Sequence, residues 1–214
     1  MNGKDGKPFK TREGGVMRLE YLVSAINEEM LKKITENQKS KEDLDIDQEE
    51  AVRTAKTVAL SAIKYGDLSN QASKDYIFDI DRFTSFEGNT GPYILYTIVR
   101  IKSILSKYEA MGKDVSACSS VIKAADSENE KNLMLVLSRF NAVMENAFEE
   151  TAPHKICAYI YELANAFNGF YHGTKILSEE NEMIQKSYIA VLCLTKSILE
   201  TCIDVLGFSA PDRM

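Results

Sequence analysis

The chain has 214 residues, with 26 Lys and Arg against 32 Asp and Glu, and a formal net charge of −6 at pH 7. This length suits one large domain or two small ones, and 44% hydrophobic residues are enough for a core. The net charge excludes indiscriminate phosphate binding, because affinity for nucleic acids comes mostly from Lys and Arg. A nucleic-acid site here needs a localised group of basic or aromatic side chains.

The first sixteen residues contain a basic strip between glycines. Gly6, Lys7, Lys10 and Thr11 place two ammonium groups three residues apart, with a hydroxyl after the second. Glycines at this density disfavour a helix, and spaced ammonium groups on a loop suit a polyphosphate such as ATP. The alternative is a solvated basic terminus, which composition alone favours.

Two helices are predicted before residue 70. Apolar residues recur at helical spacing over 17–34, and an acidic, solvated connection follows. The second helix is predicted over 47–65, with Asp47 as its N-cap and Gly66 as its stop. The short run 76–80 is the only convincing extended segment.

From residue 92 onward the chain is predicted to be helical. The predicted helices cover 92–109, 114–124, 127–149, 153–174 and 179–206. Pro92 and Pro153 suit first helical turns, and Gly207 closes the last helix. The predicted fold class is all-α, a helical bundle preceded by a flexible loop and two connecting helices.

Three side chains share a second, narrow stripe on the helix after Pro92. The core stripe contains Ile94, Ile98, Ile101, Leu105 and Tyr108. Tyr93, Tyr96 and Arg100 point away from it at helical spacing, so that their heads can meet one partner. Two rings and a guanidinium form a platform for unstacked bases. The alternative is that both tyrosines pack against a neighbouring helix and leave Arg100 on the surface.

The helix from Pro153 offers a weaker candidate. Tyr171 lies at the edge of its core stripe, with Asn168 and Lys175 beyond it. An edge tyrosine beside an amide and an ammonium can stack on a base, but such residues more often seal a core. His154 and His172 are too far apart to share a metal.

The four cysteines, Cys118, Cys157, Cys193 and Cys202, form no closely spaced pair of the kind that binds structural zinc. Three lie in apolar helical stretches, where a reduced thiol packs as a small hydrophobe. We therefore expect no metal site and no catalytic cysteine. With no apolar stretch of about 20 residues and no secretory signal, we expect a cytoplasmic protein without a membrane partner.

Four segments together resemble class I arginyl-tRNA synthetases. They are GKPFKTREGG at 6–15, KYGDL at 64–68, FEGNTGPY at 86–93 and LGFSAPDRM at 206–214. They occur in the order of that family, and the similarity extends over the whole chain. The resemblance implies that the chain is the C-terminal part of an arginine–tRNA ligase.

The resemblance also implies roles for individual residues. The strip 7–11 is the counterpart of the KMSKS loop, with Lys7 and Lys10 as catalytic residues and Gly6 and Thr11 as further ATP contacts. Pro8 and Phe9 stand where the motif has Met and Ser, and Thr11 replaces its final Ser. ATP with Mg²⁺ is expected in the full-length enzyme, and neither is expected to bind to this chain alone.

The part from about residue 88 resembles the anticodon-binding helical domain called DALR. Its anticodon contacts match Tyr93, Tyr96, Arg100, Tyr171 and Met214, whereas Lys175 stands where some relatives carry an aromatic residue. The implied organisation is an ATP-loop remnant at 1–16, a connecting helical region that contacts the tRNA stem at 17–87, and the anticodon-binding domain at 88–214.

No HIGH signature and no alternating strand–helix pattern occurs in the chain, so the arginine pocket is expected in an N-terminal catalytic domain that is absent here. The expected partners are arginine-accepting tRNA and that domain, with the protein as a monomer. We expect this chain alone to be inactive. Two alternatives remain: a free-standing RNA-binding or regulatory module derived from a synthetase, and a helical scaffold for protein partners.

Overall fold

The computed structural model describes Asn2 and residues 19–39, 47–118 and 121–214. It contains two compact units, one formed by Met1–Tyr96 with Leu206–Met214 and the other by Thr97–Val205. The described helices are α1 (Leu19–Lys39), α2 (Gln48–Leu68), α3 (Ile80–Phe83), α4 (Gly91–Ala110), α5 (Glu128–Ser138), α6 (Phe140–Glu149), α7 (Pro153–Gly173) and α8 (Glu182–Val205). Within these ranges the all-α prediction is confirmed, and no helix is long and apolar enough to cross a membrane.

In the first unit, α1 packs against α2. The predicted apolar stripe of α1 is buried through Leu22, Ile26, Met30 and Ile34. Alanines dominate the facing side of α2, and their small side chains allow the two helices to approach closely. Asp47 is the N-cap of α2, as predicted, since its Oδ1 accepts a hydrogen bond of 2.7 Å from the backbone N–H of Glu50.

Gly66 does not stop α2, and this prediction was wrong. The helix continues to Leu68, and Gly66 lies buried within its last turn. A Cβ atom at this position would lie 2.5 Å from the ring of Phe83. The glycine is therefore explained by the close approach of an aromatic ring rather than by a left-handed cap.

Two of the motifs that suggested the family pack against each other in the first unit. The hydroxyl of Tyr65, which is fully buried, donates a hydrogen bond of 2.5 Å to Oδ1 of Asn89. Gly91 lies so close to the backbone carbonyl of Ser61 that a Cβ would collide with it. The cavity that remains between the motifs, about 30 Å³, has room for no more than a water molecule. These motifs therefore hold the start of α4 against α2.

Among the described residues, the segment at 76–80 forms one isolated parallel bridge, between Ile77 and Asn2. Its backbone hydrogen bonds join the N–H of Asn2 to Tyr76 O at 2.8 Å and the N–H of Phe78 to Asn2 O at 2.9 Å. Ile80 already begins α3, with Asp79 as its N-cap. The prediction of an extended segment is therefore supported by a single bridge at Ile77 and is wrong at Ile80.

The C-terminal tail belongs to the first unit. Gly207 follows α8 with a φ of 82°, which supports the predicted stop. Its carbonyl oxygen accepts a hydrogen bond from Lys64 Nζ, near the end of α2. Near the start of α2, Glu50 holds the guanidinium of Arg213 through two hydrogen bonds of 2.8 and 3.1 Å. The tail is thus attached to α2 at two points: Gly207 near the end of the helix and Arg213 near its start.

In the second unit, α7 packs against α5, α6 and α8. Its predicted core stripe is buried throughout, at Ile156, Ile160, Leu163, Phe167 and Phe170. The single helix predicted over 127–149 was wrong, because Arg139 separates α5 from α6. Arg139 forms an ion pair with Glu162 of α7, 2.6 Å between Nη2 and Oε1, at the break between α5 and α6.

The helix predicted over 114–124 was also wrong. The structure has a 3₁₀ turn at Ser116–Cys118, and residues 121–126 are not helical. Oδ1 of Asp114 accepts hydrogen bonds from the N–H and the hydroxyl of Ser116, which favours a turn over a helix. The N–H of Lys123 donates to Oγ of Ser187 in α8 rather than to a helical carbonyl.

We predict that Gly91→Ala lowers the free energy of unfolding by about 1–3 kcal/mol, because the new methyl group would overlap a backbone carbonyl that cannot move alone. Gly169→Ala in α7 is the matched control. Its Cβ would lie 3.8 Å from the nearest side-chain atom, and alanine favours a helix over glycine by about 0.5–1 kcal/mol. Urea unfolding, monitored by circular dichroism, measures the free energy of unfolding of both variants. Equal effects of the two substitutions would contradict the close packing described here.

Candidate nucleic-acid interface

The candidate side chains on α4 are neither in the core nor fully exposed. Tyr93 and Tyr96 are half-buried in the first unit, and Arg100 is half-buried in the second. By contrast, the core residues Ile94 and Ile98 are completely buried. The helix thus presents an apolar side to the core and keeps part of each candidate side chain accessible, which a stacking surface requires.

Arg100 contacts α7 through two different interactions. Its Nη1 donates a hydrogen bond of 2.6 Å to Oδ1 of Asn168. Its Cζ lies over the ring of Tyr171, 5.1 Å from the centroid, within the range of a cation–π interaction. The structure therefore brings together residues that the sequence placed on two separate helices. We call Arg100, Asn168 and Tyr171 the Arg100 cluster.

Tyr171 rests on the core of the second unit. Its ring lies at 26° to the ring of Phe167, with 6.0 Å between the centroids, and Phe167 is completely buried. On the exposed side, the ring of His172 meets Tyr171 edge-on at 5.3 Å. Tyr171 itself is half-buried, so a fixed ring supports the guanidinium at the surface.

The remaining predicted residues lie elsewhere. Lys175 is exposed after the end of α7, and Met214 is half-buried in the first unit. The ATP-loop candidates Gly6, Lys7, Lys10 and Thr11 lie outside the described residues. Asn168 was placed beside Tyr171 by the sequence but was not paired with Arg100. No spacing pattern could have shown that pair, since the two residues are 68 positions apart.

A cleft of about 280 Å³ between α6 and α7 is a poorer candidate for RNA. Two of the residues that line it are cations, and both are neutralised by carboxylates. Arg139 pairs with Glu162 at 2.6 Å, and Lys155 pairs with Glu150 at 2.5 Å. Phosphate binding requires positive charge that neighbouring carboxylates do not cancel.

Three of the four cysteines have thiols that burial makes less reactive. Burial raises the pKa of both Cys157 and Cys202 to about 12. It also raises the pKa of Cys193. A nucleophilic cysteine needs a lowered pKa, because the thiolate is the reactive form. In the described part of the chain, no group of three His, Cys, Asp or Glu side chains could hold a metal ion.

Comparison with known protein families identifies the helical region. Residues 94–214, more than half of the chain, match the family model described as the DALR anticodon binding domain. The chain belongs to the DALR anticodon binding domain family. Residues 1–80 match a second model, described as the catalytic domain of class I tRNA synthetases for arginine.

Curated arginine–tRNA ligases are similar to this chain over its whole length. An arginine–tRNA ligase of Agathobacter rectalis is 77% identical over 214 residues, and one of Alkaliphilus oremlandii is 54% identical over 214 residues. The comparison covers all of this chain but only 36% and 35% of those two proteins. The chain therefore spans about a third of the length of the relatives it matches.

Solved structures show the same fold. The arginyl-tRNA synthetase of Plasmodium falciparum superposes with a TM-score of 0.78 and 28% identity over 92% of this chain and 34% of its own. That of Thermus thermophilus gives a TM-score of 0.81 over all of this chain and 34% of its own. Its identity of 24% supports the fold alone.

The pKa shifts predict which thiol reacts first. At pH 8, a thiol with a pKa of about 12 is ionised in roughly one molecule in ten thousand. Thiol labelling of the folded chain should therefore modify Cys193, which is half-buried, before the completely buried Cys118, Cys157 and Cys202. Raising the pH increases the thiolate fraction and should speed all labelling. Mass spectrometry of digested, labelled protein measures the order, and early labelling of Cys157 would contradict it.

Proposed function

We propose that the chain is the tRNA-binding, C-terminal part of an arginine–tRNA ligase, which joins arginine to its tRNA with ATP. The observation that carries this proposal is the Arg100 cluster, a fixed cation on an aromatic ring inside the region that matches the anticodon-binding family. The names of the relatives and the order of the motifs support the same assignment.

The proposed RNA contacts are Tyr93, Tyr96, Arg100, Tyr171 and Met214. In a chain with a net charge of −6, individual aromatic and basic side chains of this kind supply what the overall charge cannot. Half-buried rings present a face for stacking, and a guanidinium adds both charge and a flat surface. The hydrogen bonds between Arg213 and Glu50 support a role for Met214, since they fix the residue next to it.

The remaining assignments extend the proposal to the whole enzyme. We infer an ATP-loop remnant at 1–16, with Lys7 and Lys10 stabilising the pyrophosphate of ATP–Mg²⁺, a connecting region at 17–87 and the anticodon-binding domain at 88–214. An N-terminal catalytic domain supplies the arginine pocket, so this chain by itself does not activate arginine. The enzyme works as a monomer in the cytoplasm.

We predict that replacing both Tyr96 and Arg100 with Ala weakens binding of the anticodon stem-loop of an arginine-accepting tRNA. Each contact contributes about 1–3 kcal/mol, so Kd should rise at least roughly 30-fold. Thermal stability should change little, because a half-exposed hydrogen bond contributes about 1 kcal/mol. Fluorescence anisotropy with a labelled hairpin measures the affinity.

The matched control replaces a tyrosine and an arginine on the surface of the first unit, Tyr21→Ala with Arg53→Ala. Tyr21 is 67% exposed, and the side chain of Arg53 is 68% exposed. This pair removes the same ring and charge but leaves the proposed contacts intact, so it should change Kd less than about threefold. Normal binding by the Tyr96 and Arg100 variant, after correction for its folded fraction, would show that these side chains are structural.

A further inference from the structure

The guanidinium of Arg100 is restrained by two different interactions, a hydrogen bond and a cation–π contact. Guanidinium N–H groups donate within the plane of the group, so the 2.6 Å bond to Asn168 Oδ1 limits rotation of that plane. The ring of Tyr171, 5.1 Å from Cζ, limits movement toward the protein. Both supporting residues belong to the last turns of α7, which packs on the core through Phe167 and Phe170.

This restraint matters because arginine is a long, flexible side chain. A free arginine loses rotamer freedom when it binds a partner, which reduces affinity by an amount comparable to a weak contact. In this structure that freedom is already lost in the folded protein. A guanidinium with a fixed plane offers RNA a ready stacking and hydrogen-bonding surface.

The chemical identity of residue 168 also matters. The amide oxygen of Asn168 accepts the hydrogen bond as a neutral group, so it orients Arg100 without cancelling its charge. A carboxylate at the same place would form a shorter, stronger, charge-assisted bond, but it would neutralise the cation that attracts phosphate. The amide therefore orients the guanidinium without itself reducing the positive charge.

We propose that Asn168 is a positioning residue for RNA binding: it orients the plane of the Arg100 guanidinium, with the Tyr171 ring as support, for contact with a base of an opened RNA loop. This inference rests on the proposed function, since it concerns the same interface. It adds a residue that does not touch RNA itself and acts through Arg100.

The test uses the 214-residue chain with the substitutions Asn168→Leu, Asn168→Asp and Arg100→Ala, and the double variant Arg100→Ala with Asn168→Leu. The probe is the same anticodon stem-loop hairpin, titrated at several salt concentrations, and thermal unfolding is measured for each variant. Asn168→Leu should raise Kd about two- to tenfold when Arg100 is present. It should have no effect on Kd in the Arg100→Ala background, because the residue it positions is gone.

Asn168→Asp separates positioning from stability. The stronger bond should keep or raise the unfolding temperature, while Kd increases by at least as much as in Asn168→Leu. The slope of log Kd against log salt concentration should also fall, because the carboxylate neutralises a cation at the RNA interface. If Asn168 only stabilised the fold, a variant with an unchanged or higher unfolding temperature would bind RNA as well as the unsubstituted chain.

The outcomes distinguish this inference from the function on which it rests. If the unsubstituted chain does not bind the hairpin at low salt, the proposed function fails and this inference fails with it. If the chain binds and Arg100→Ala weakens binding while Asn168→Leu does not, only the positioning role is overturned. An equal effect of Asn168→Leu in both backgrounds would also overturn it, because Asn168 would then act through the fold.

Discussion

The contact between Arg100 and α7 is the interaction on which the functional account depends. A hydrogen bond to Asn168 and a cation–π contact with Tyr171 hold one positive charge at the surface of an otherwise acidic chain. Both contacts reduce the rotamer freedom that a long arginine side chain would otherwise lose on binding. With them, the second unit has a preorganised group for an unstacked base.

The motifs that identify the family have a different physical role in the described structure. Tyr65 and Gly66 in one motif, and Asn89 and Gly91 in another, pack against neighbouring groups in the first unit. Their glycines are explained by close approach to Phe83 and to the Ser61 carbonyl. In these motifs the glycines are explained by tight packing, whereas the residues of the Arg100 cluster lie outside the four motif segments.

The features predicted correctly from sequence are those fixed by local periodicity. The all-α class, the Asp47 cap and the buried stripes of α1 and α7 follow from residues within a few positions of one another. The failures depend on partners distant in sequence: Phe83 against Gly66, Glu162 against Arg139, and Ser187 against the segment after Cys118. The pairing of Arg100 with Asn168 belongs to the same class, and only a three-dimensional structure reveals it.

The most direct test of the account is nuclear magnetic resonance of the Arg100 side chain in the free chain and with the hairpin, assigned by comparison with Arg100→Lys. The account predicts separate Nη signals, because the bond to Asn168 restricts rotation about the Cζ–Nε bond, and a change in their positions when RNA is added. Averaged signals typical of a freely rotating guanidinium, unchanged by RNA, would contradict both the restraint and the contact.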